Sequence, residues 1–350
     1  MASDDASFVP TFVPLRQPVL GHVIERDPVG ECHRVVDLEC GRAIVAQGSL
    51  EECEAALVAR LIGRHPARLN VAFPTFGGLQ VWADVHWFAD WRIQENVLTG
   101  HARLLDPTGT RRAWGSLSAC RAQLERERAA SKLAPASDDL VVLLHGLFRT
   151  RASLSRLDAA LRADGYAVAA VNYPSTRRSI AEHADGLERL LDGLEEVRRV
   201  SFVTHSLGGL VARATLARDA AWRRRTEVGR LVMIAPPSHG SSFADALADF
   251  LPFRLLAGRG GQSIAHEARA IPLPTCPFGV IAARTPANRG LNPFIEGADD
   301  GIVGVEEARL AEADDFLVVT GLHSFVMGAE DVVQATRRFF RTGSFACASA

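Results

Sequence analysis

From residue 139 onward, short apolar segments alternate with stretches long enough to form helices. Each apolar segment is bounded by residues that favour turns, and six of them have the pattern of buried strands: 140–144, 167–171, 199–203, 230–234, 278–282 and 316–319. This alternation is typical of a parallel sheet with helices on both faces. Because right-handed crossovers bring the carboxyl ends of parallel strands to one edge of the sheet, we expect functional side chains directly after the strands.

The first 131 residues have a different pattern. Four of the five tryptophans lie between residues 82 and 114, where short alternating segments favour strands. Ser49 and Glu52 have the spacing of a capping box, which predicts the start of a helix. We therefore predict a small α+β domain before an α/β domain, with these boundaries: a disordered tail over 1–20, the α+β domain over 21–131, a linker over 132–138, the α/β domain over 139–342 and a tail over 343–350.

Composition limits the partners. Lys+Arg 39 against Asp+Glu 41 gives a net charge of -2, so no overall positive field favours nucleic acid. No apolar run reaches the roughly 20 residues of a membrane-spanning helix, and we expect no integral membrane segment. The 6 cysteines include no C-x-x-C pair, which favours reduced thiols over a zinc ribbon. The acidic, proline-interrupted N-terminus is unlike a signal peptide, and we expect a cytoplasmic protein.

A serine stands at the junction between the third predicted strand and a helical stretch. Ser206 lies in Thr204-His205-Ser206-Leu207-Gly208, where Gly208 meets the need for a small residue and Thr204 departs from the usual glycine. Such a tight strand–turn–helix junction holds a serine hydroxyl above the sheet, next to the positive end of the helix dipole. The alternative interpretation is a serine N-cap on an ordinary strand–helix unit.

A His-Gly pair follows the first predicted strand. Gly146 allows the backbone to approach a substrate, and the N–H of Leu147 can then point at a carbonyl oxygen. Together with the N–H of Leu207, it would form an oxyanion hole with two donors. His145 favours a structural role, in which it positions this loop by hydrogen bonds.

A serine needs a base, and the base needs a carboxylate that holds its tautomer. In this class of fold the chain order is serine, acid, histidine. Asp300 lies in a glycine-flanked turn after the fifth predicted strand, and His323 follows the last one. Both residues therefore stand where the order requires them, which favours catalysis over an N-cap.

Other residues are alternatives for these roles. Asp299 is a neighbouring candidate for the acid. Asp314 and Asp315 precede the last predicted strand, and we expect them in a solvated turn. His239 follows a strand but precedes the acid, so we expect it to line the pocket rather than act as the base. His183 has the pattern of an ordinary residue on a helix surface.

Taken together, these segments resemble the α/β-hydrolase superfamily, in particular its bacterial lipase/esterase-like branch. The resemblance extends over about 139–341 and rests, in order, on LLHGL, NYP, THSLGG, IAPPSHGS, DDGIV and LHSF. It implies an α/β-hydrolase fold with Ser206 as nucleophile, Asp300 as acid and His323 as base, and the two backbone donors named above. It implies no metal or organic cofactor. The N-terminal region shows no such resemblance.

The substrate is inferred from apolar residues. The segment 243–256 is rich in Phe and Leu and precedes the glycine-rich stretch 258–261. It predicts either a helix that ends in a flexible loop and forms a lid over an acyl pocket, or a helix of the core. Candidates for the pocket wall are Phe148, His239, Phe243 and Phe250. We expect an apolar acyl or aryl ester, either a small molecule or lipid-like. An uncharged ester would need no steering field.

The sequence thus predicts a serine hydrolase, carboxylesterase or lipase-like, that works through an acyl-enzyme. One alternative is an acyltransferase, in which an alcohol takes the acyl group from the same serine. The other is a non-catalytic protein that keeps the α/β-hydrolase fold as a binding scaffold.

Overall fold

A computed structural model describes most of the chain. The described residues are 13–14, 22–27, 32–38, 41–54, 56–57, 79–135, 137–194, 196–243, 258–264, 267–286 and 290–346. The chain divides into two compact units: the first comprises Met1–Pro74 and Glu95–Lys132, and the second comprises Thr75–Gln94 and Leu133–Ala350. The predicted domain boundaries stay a prediction. The two descriptions differ over residues 75–94, which the structure groups with the second unit.

The first unit begins with a small antiparallel sheet. Its strands are adjacent in chain order: β1 (Val13–Pro14), β2 (His22–Arg26), β3 (His33–Asp37) and β4 (Ala43–Gly48). Directly after β4, the N–H of Ser49 donates to Glu52 Oε2 at 2.8 Å, and the N–H of Glu52 donates to Ser49 Oγ at 3.2 Å. These bonds form a capping box at the start of helical residues 50–54.

Two further strands, β5 (Trp82–Phe88) and β6 (Trp91–Asn96), are hydrogen-bonded neighbours that lie mainly in the second unit. The N–H of Asp84 donates to the Asn172 carbonyl at 2.8 Å, and the N–H of Asn172 donates to Asp84 Oδ2 at 2.7 Å. Arg92 donates to the Ala170 carbonyl at 3.0 Å. These long-range bonds explain why residues 75–94 belong to the second unit.

The remaining described residues of the first unit form mainly a hairpin and a helix. β7 (Ala102–Leu105) and β8 (Arg111–Gly115) are antiparallel, and the Asp106 carboxylate accepts bonds from backbone N–H groups of the turn. Helix α1 (Leu117–Ser131) begins at Ser116, whose Oγ accepts from the Ala119 N–H. The structure therefore confirms a small α+β arrangement in this unit.

The second unit contains the main sheet. Its six strands are all parallel and lie in the order β10-β9-β11-β12-β13-β14. Their bounds are β9 (Asp139–Leu144), β10 (Ala167–Val171), β11 (Arg199–His205), β12 (Glu227–Ile234), β13 (Phe278–Arg284) and β14 (Asp315–Thr320). Each contains one of the six predicted strands. The fold class expected from the sequence is thereby confirmed.

Helices accompany these strands. They are α2 (Ser155–Ala163), α3 (Ile180–Asp192), α4 (Leu207–Leu216), the single turn α5 (Val305–Ala308) and α6 (Glu330–Thr342). A capping box between Ser179 and Glu182 begins α3, and Gly343 ends α6 in the left-handed conformation with φ 80°. After Gly343, Ser344 and Phe345 donate to the Asp315 carboxylate, so this part of the predicted tail is anchored.

Both faces of the sheet are buried. In β9, Leu140, Val142 and Leu144 pack into one apolar cluster, whereas Val141 and Leu143 pack into the cluster on the opposite face. Burial on both faces is the physical reason for continuous apolar runs in parallel strands, in place of polar–apolar alternation. The loops at the carboxyl ends of the strands are therefore free to carry polar groups.

Candidate active site

Ser206 occupies the junction between β11 and α4. Its backbone has φ 52° and ψ -123°, a conformation that residues with a side chain rarely adopt. The Ser206 N–H donates to the Ile234 carbonyl at 2.9 Å, and the Gly209 N–H donates to the Ser206 carbonyl at 2.9 Å. The strained turn is thus held from both sides, and it places Ser206 in the wall of a cavity.

The residues on either side of Ser206 fit this turn for different reasons. A Cβ on Gly208 would lie 2.5 Å from the Leu144 carbonyl oxygen, so only glycine allows α4 to approach β9 this closely. Thr204 is fully buried, and its hydroxyl donates to the Val232 carbonyl at 3.3 Å. The departure from glycine at position 204 is therefore accommodated by a bond to the neighbouring strand.

His323 lies between Ser206 and Asp300. Its Nδ1 is 2.8 Å from Asp300 Oδ2, and its Nε2 is 2.9 Å from Ser206 Oγ. A carboxylate only accepts hydrogen bonds, so Nδ1 carries the proton and Nε2 presents a lone pair to the serine hydroxyl. The side chains of Asp300 and His323 are largely shielded from solvent. The structure thus brings together the three residues that the sequence selected.

The loop after β13 aims the Asp300 carboxylate. Asp300 Oδ1 accepts from the N–H groups of Ile302 at 3.0 Å and Val303 at 2.8 Å, which leaves Oδ2 for His323. The adjacent Asp299 turns the other way, since Asp299 Oδ1 accepts from the Gly301 N–H at 2.7 Å. Of the two candidate acids, Asp300 is therefore the one that contacts the histidine.

The loop after β9 packs directly on the serine. A Cβ on Gly146 would lie 3.1 Å from Ser206 Cβ and 2.8 Å from His205 Nδ1, so the backbone lies where a side chain would not fit. The next residue, Leu147, lines the same cavity as Ser206. Leu207 is the first residue of α4, and the first N–H groups of a helix have no partner within the helix. Each predicted oxyanion donor is therefore next in the chain to a residue of the serine turn or its contact: Leu147 follows Gly146, and Leu207 follows Ser206 itself.

His145 has a structural environment. Its Nδ1 donates to the Gly146 carbonyl at 2.9 Å, and its Nε2 accepts from the Tyr173 N–H at 3.4 Å. Burial lowers the pKa of His145 to about 4, so the ring is neutral at pH 7. The Tyr173 hydroxyl donates to the His145 carbonyl. These bonds fix the loop that carries Leu147, as the sequence predicts.

The cavity next to Ser206 has a volume of about 410 Å³. Its wall is formed mainly by apolar side chains, with Ser206 and His323 at one side; the lining residues are Leu147, Phe148, Arg149, His205, Ser206, Pro237, Ser241, Phe243, Gly261, Ile264, Ile302, Val303, His323 and Ser324. The wall includes two of the four predicted pocket residues, Phe148 and Phe243. His239 is exposed and is not part of the wall; its Nε2 donates to the Arg309 carbonyl at 2.8 Å. Phe250 lies outside the described residues.

The predicted lid segment 243–256 lies outside the described residues, except for Phe243. The glycines that follow it are closely packed, in contrast to the expected flexible loop. Residues 258–264 are helical, and a Cβ on Gly258 would lie 2.1 Å from the Thr176 carbonyl oxygen. A Cβ on Gly260 would lie 1.9 Å from the Ser175 carbonyl oxygen. Close approach of two backbones is thus the reason for glycine here.

Three residues near the site have environments that the sequence did not indicate. His205 Nε2 donates to the His323 carbonyl at 3.0 Å and so supports the loop that carries the histidine. Arg149 reaches the cavity wall. His183, which we expected on a helix surface, is buried and stacks edge-on against Tyr173; that prediction is wrong because His183 lies on the inner face of α3.

The part of the chain that the structure describes contains neither a membrane-spanning helix nor a cluster of side chains suited to a metal ion. No helix there is long and apolar enough to cross a membrane. No group of three or more His, Cys, Asp or Glu side chains in the described ranges could hold a metal ion. Four of the six cysteines fall within those ranges, and all four are free thiols: Cys32, Cys53, Cys120 and Cys276.

Comparison with known proteins identifies the class. The model of the Alpha/beta hydrolase family matches residues 141–342, which is more than half of the chain. The match contains nearly all of the main sheet and all three residues of the Asp300–His323–Ser206 arrangement. The chain therefore belongs to the alpha/beta hydrolase family, and the resemblance seen in the sequence is confirmed.

Solved structures give a weaker likeness. The mature form of lipase BlEst2 from Bacillus licheniformis has 18% identity and a TM-score of 0.46, over 58% of this chain and 91% of that chain. A lipase-esterase related protein from Clostridium acetobutylicum has 12% identity and a TM-score of 0.40, over 58% and 95%. A thermophilic esterase from Thermogutta terrifontis has 17% identity and a TM-score of 0.39, over 58% and 89%. No curated protein matches the sequence.

Proposed function

We propose that the protein is a serine hydrolase that cleaves carboxylic esters through an acyl-enzyme. The observation that carries this proposal is the continuous hydrogen-bonded chain from Asp300 through His323 to Ser206, with distances of 2.8 and 2.9 Å. A serine hydroxyl becomes a nucleophile only when a base takes its proton, and the carboxylate keeps that base in the required tautomer. Membership of the hydrolase family supports the same reading.

In the first step, His323 Nε2 takes the proton of Ser206 as Oγ attacks the ester carbon. The protonated His323, stabilised by Asp300, then donates that proton to the leaving alcohol, and the acyl group stays on Ser206. In the second step, His323 takes a proton from water, the resulting hydroxide attacks the acyl carbon, and the proton returns to Ser206. The products are the acid and the alcohol.

Both steps pass through a tetrahedral intermediate with a negatively charged oxygen. The N–H groups of Leu147 and Leu207 are suited to bind this oxygen, since both belong to residues that adjoin the serine turn. A preorganised donor of this kind lowers the barrier, and the loss of one donor reduces kcat by roughly 10²–10³-fold in related chemistry. Backbone donors at these positions persist whichever side chain is present.

The cavity supports an acyl or aryl group as part of the substrate. Most of its wall is apolar, with Phe148 and Phe243 contributing aromatic surface. A volume of about 410 Å³ lies within the usual range for small-molecule pockets, about 300–1,000 Å³. The proposed activity is therefore that of a carboxylesterase or a lipase-like enzyme.

A fluorophosphonate probe tests the proposal. We expect the probe to label wild-type protein at Ser206 and the protein to cleave p-nitrophenyl butyrate. Ser206→Ala should lose both, while Ser201→Ala, at the opposite end of the same strand, should keep both. Folded wild-type protein that is neither labelled nor active would contradict the hydrolase, and a fully active Ser206→Ala would contradict the nucleophile.

Product analysis separates hydrolysis from acyl transfer. The same three residues would serve both reactions, because they differ only in what attacks the acyl-enzyme. We expect free butyric acid as the main product when a competing alcohol is present at moderate concentration. An ester of the added alcohol as the main product would identify the protein as an acyltransferase.

A further inference from the structure

Arg149 is a cation in the wall of the cavity that contains Ser206. Among the described residues of that wall, it is the single side chain with a permanent charge; the others are apolar, hydroxyl-bearing, glycine or histidine. Arg149 is partly buried. A partly buried arginine needs compensation for any hydration that its guanidinium loses.

Among the described residues, no acidic side chain supplies that compensation. Within the described part of the chain, no carboxylate lies within 4.0 Å of the Arg149 guanidinium, whose contact there is the Phe325 ring, with Cζ 6.0 Å from the centroid. Other arginines of the second unit differ. Arg162 pairs with Asp90 at 2.7 Å, and Arg259 pairs with Glu182 at 2.8 Å. Arg149 is therefore available to a ligand.

The backbone of Arg149 is held in place. Its N–H donates to the Gly146 carbonyl at 3.2 Å, and its carbonyl accepts from Gln80 Nε2 at 3.0 Å. Gln80 is itself anchored, because its Oε1 accepts from Ser175 Oγ and the Thr176 N–H, both at 3.2 Å. The guanidinium therefore extends from a fixed point, three residues after the glycine that packs on Ser206.

The charge of Arg149 acts on the interior of the site. Burial lowers the pKa of His205 well below its ordinary value, and the nearby His323 and Arg149 contribute to this shift. An anion in the cavity would interact favourably with the same charge. The planar guanidinium matches carboxylate and phosphate oxygens in a two-point arrangement, which gives orientation as well as affinity.

We propose that Arg149 forms an anion-binding subsite, and that the preferred substrate is an ester bearing a carboxylate or phosphate group near the scissile bond. This inference rests on the proposed function and refines it, because the sequence alone favoured an uncharged ester. The apolar wall binds the hydrocarbon part, and Arg149 binds the charged oxygens. The net charge of -2 provides no overall attraction for such a substrate, so its recognition depends on this one side chain.

Matched esters test the subsite. The neutral reference is p-nitrophenyl butyrate. Mono-p-nitrophenyl glutarate places a carboxylate on the acyl part, and the butyrate ester of 4-hydroxybenzoate places one on the alcohol part. The measured quantity is the ratio of kcat/KM for each anionic ester to that for the neutral ester. This ratio cancels any general effect of a substitution on folding or on the chemical step.

In Arg149→Met we expect the ratio to fall roughly tenfold to hundredfold for at least one anionic ester, which also shows which part of the substrate the subsite binds. Arg149→Lys should retain part of the preference, since it keeps the charge without the planar fork. Arg341→Met is the control for net charge. Arg341 is exposed and lies far from Ser206. Its neighbour Phe340 accepts a bond from Arg230, which lies in the amino-terminal half of β12, whereas Ser206 lies at the carboxyl ends of the strands. Arg341→Met should keep the wild-type ratio.

The outcomes distinguish the subsite from the proposed function. If wild-type protein cleaves the neutral ester but Arg149→Met leaves both ratios unchanged, the subsite is wrong and the hydrolase stands. If Arg149→Met slows all three esters equally, Arg149 acts on the transition state in general, which also overturns the subsite. If folded wild-type protein cleaves none of the three esters and is not labelled at Ser206, the function and the subsite are both overturned.

Discussion

Exchange of Asp300 for asparagine is expected to abolish the proposed activity without unfolding the site. The asparagine oxygen can keep the bonds from the N–H groups of Ile302 and Val303, at 3.0 and 2.8 Å. Its NH₂ group then occupies the place of Oδ2, which lies 2.8 Å from His323 Nδ1. Two donors cannot bond to each other, so the ring must move its proton to Nε2 and point it at Ser206.

A ring in that tautomer cannot accept the serine proton. Exchange of this kind lowers kcat by roughly 10⁴-fold in a serine protease with the same triad, which corresponds to about 5.5 kcal/mol of lost transition-state stabilisation. The assay is the steady-state hydrolysis of p-nitrophenyl butyrate, with a thermal melt to show that the variant is folded. We expect a large loss of kcat with a nearly unchanged melting temperature.

Asp299→Asn provides the matched control, one residue away. Asp299 Oδ1 accepts from the Gly301 N–H at 2.7 Å, while the contact to the histidine is made by Asp300. We therefore expect Asp299→Asn to affect stability more than kcat. If Asp300→Asn keeps more than about a tenth of kcat, the tautomer reasoning is refuted. Equal losses of kcat in the two variants would refute the assignment of the acid.

Three further predictions concern packing, pH and positioning. Gly208→Ala places a Cβ 2.5 Å from the Leu144 carbonyl oxygen of β9 and should lower the melting temperature. Gly186→Ala lies inside α3, where the added Cβ meets nothing within 4 Å, and should stabilise the protein by roughly 0.5–1 kcal/mol. Burial lowers the pKa of His145 to about 4 from 6.5, so the unfolded chain binds this proton first. The stability that His145 contributes is therefore complete above pH 6.5 and decreases by about 3 kcal/mol as the pH falls to 4. Urea titrations at several pH values measure this decrease, and a gain in stability on acidification would contradict a neutral ring. His205→Phe removes the bond to the His323 carbonyl and should lower kcat more than it changes KM. His205→Gln should recover part of kcat, because its amide can donate to the same carbonyl. Wild-type kinetics in both variants would exclude a positioning role for His205.

Much of the fold could be predicted because its signals are local. A strand buried on both faces must be a continuous apolar run, and six such runs with helical stretches between them define the sheet. The parallel topology then brings the carboxyl ends together. For this reason Ser206, Asp300 and His323 could be selected from their positions after three different strands, although they are far apart in the sequence.

The remaining features depend on which loops meet, and periodicity carries no information about that. Asp84 looks like one residue of an aromatic strand, yet its bonds to Asn172 attach its segment to the second unit. The position of His183 in its helix is compatible with the buried face or with the solvent face, and only the packed structure shows that the side chain is buried. The same holds for Arg149, since an arginine after a strand gives no sign that its charge lacks an acidic partner in the described part of the chain.

The geometry at Ser206 is a property of the sheet edge rather than of its own short motif. A residue held in such a backbone conformation costs on the order of 1–3 kcal/mol. The two backbone bonds that hold it contribute roughly 0.5–1.5 kcal/mol each, about enough to offset that cost. The bond from the Ser206 N–H requires the Ile234 carbonyl at the end of β12, and the bond from the Gly209 N–H requires the first turn of α4 to be formed. The strained turn therefore exists only where β12 is paired and α4 is packed, and an isolated peptide of residues 199–216 would not hold the serine in this conformation.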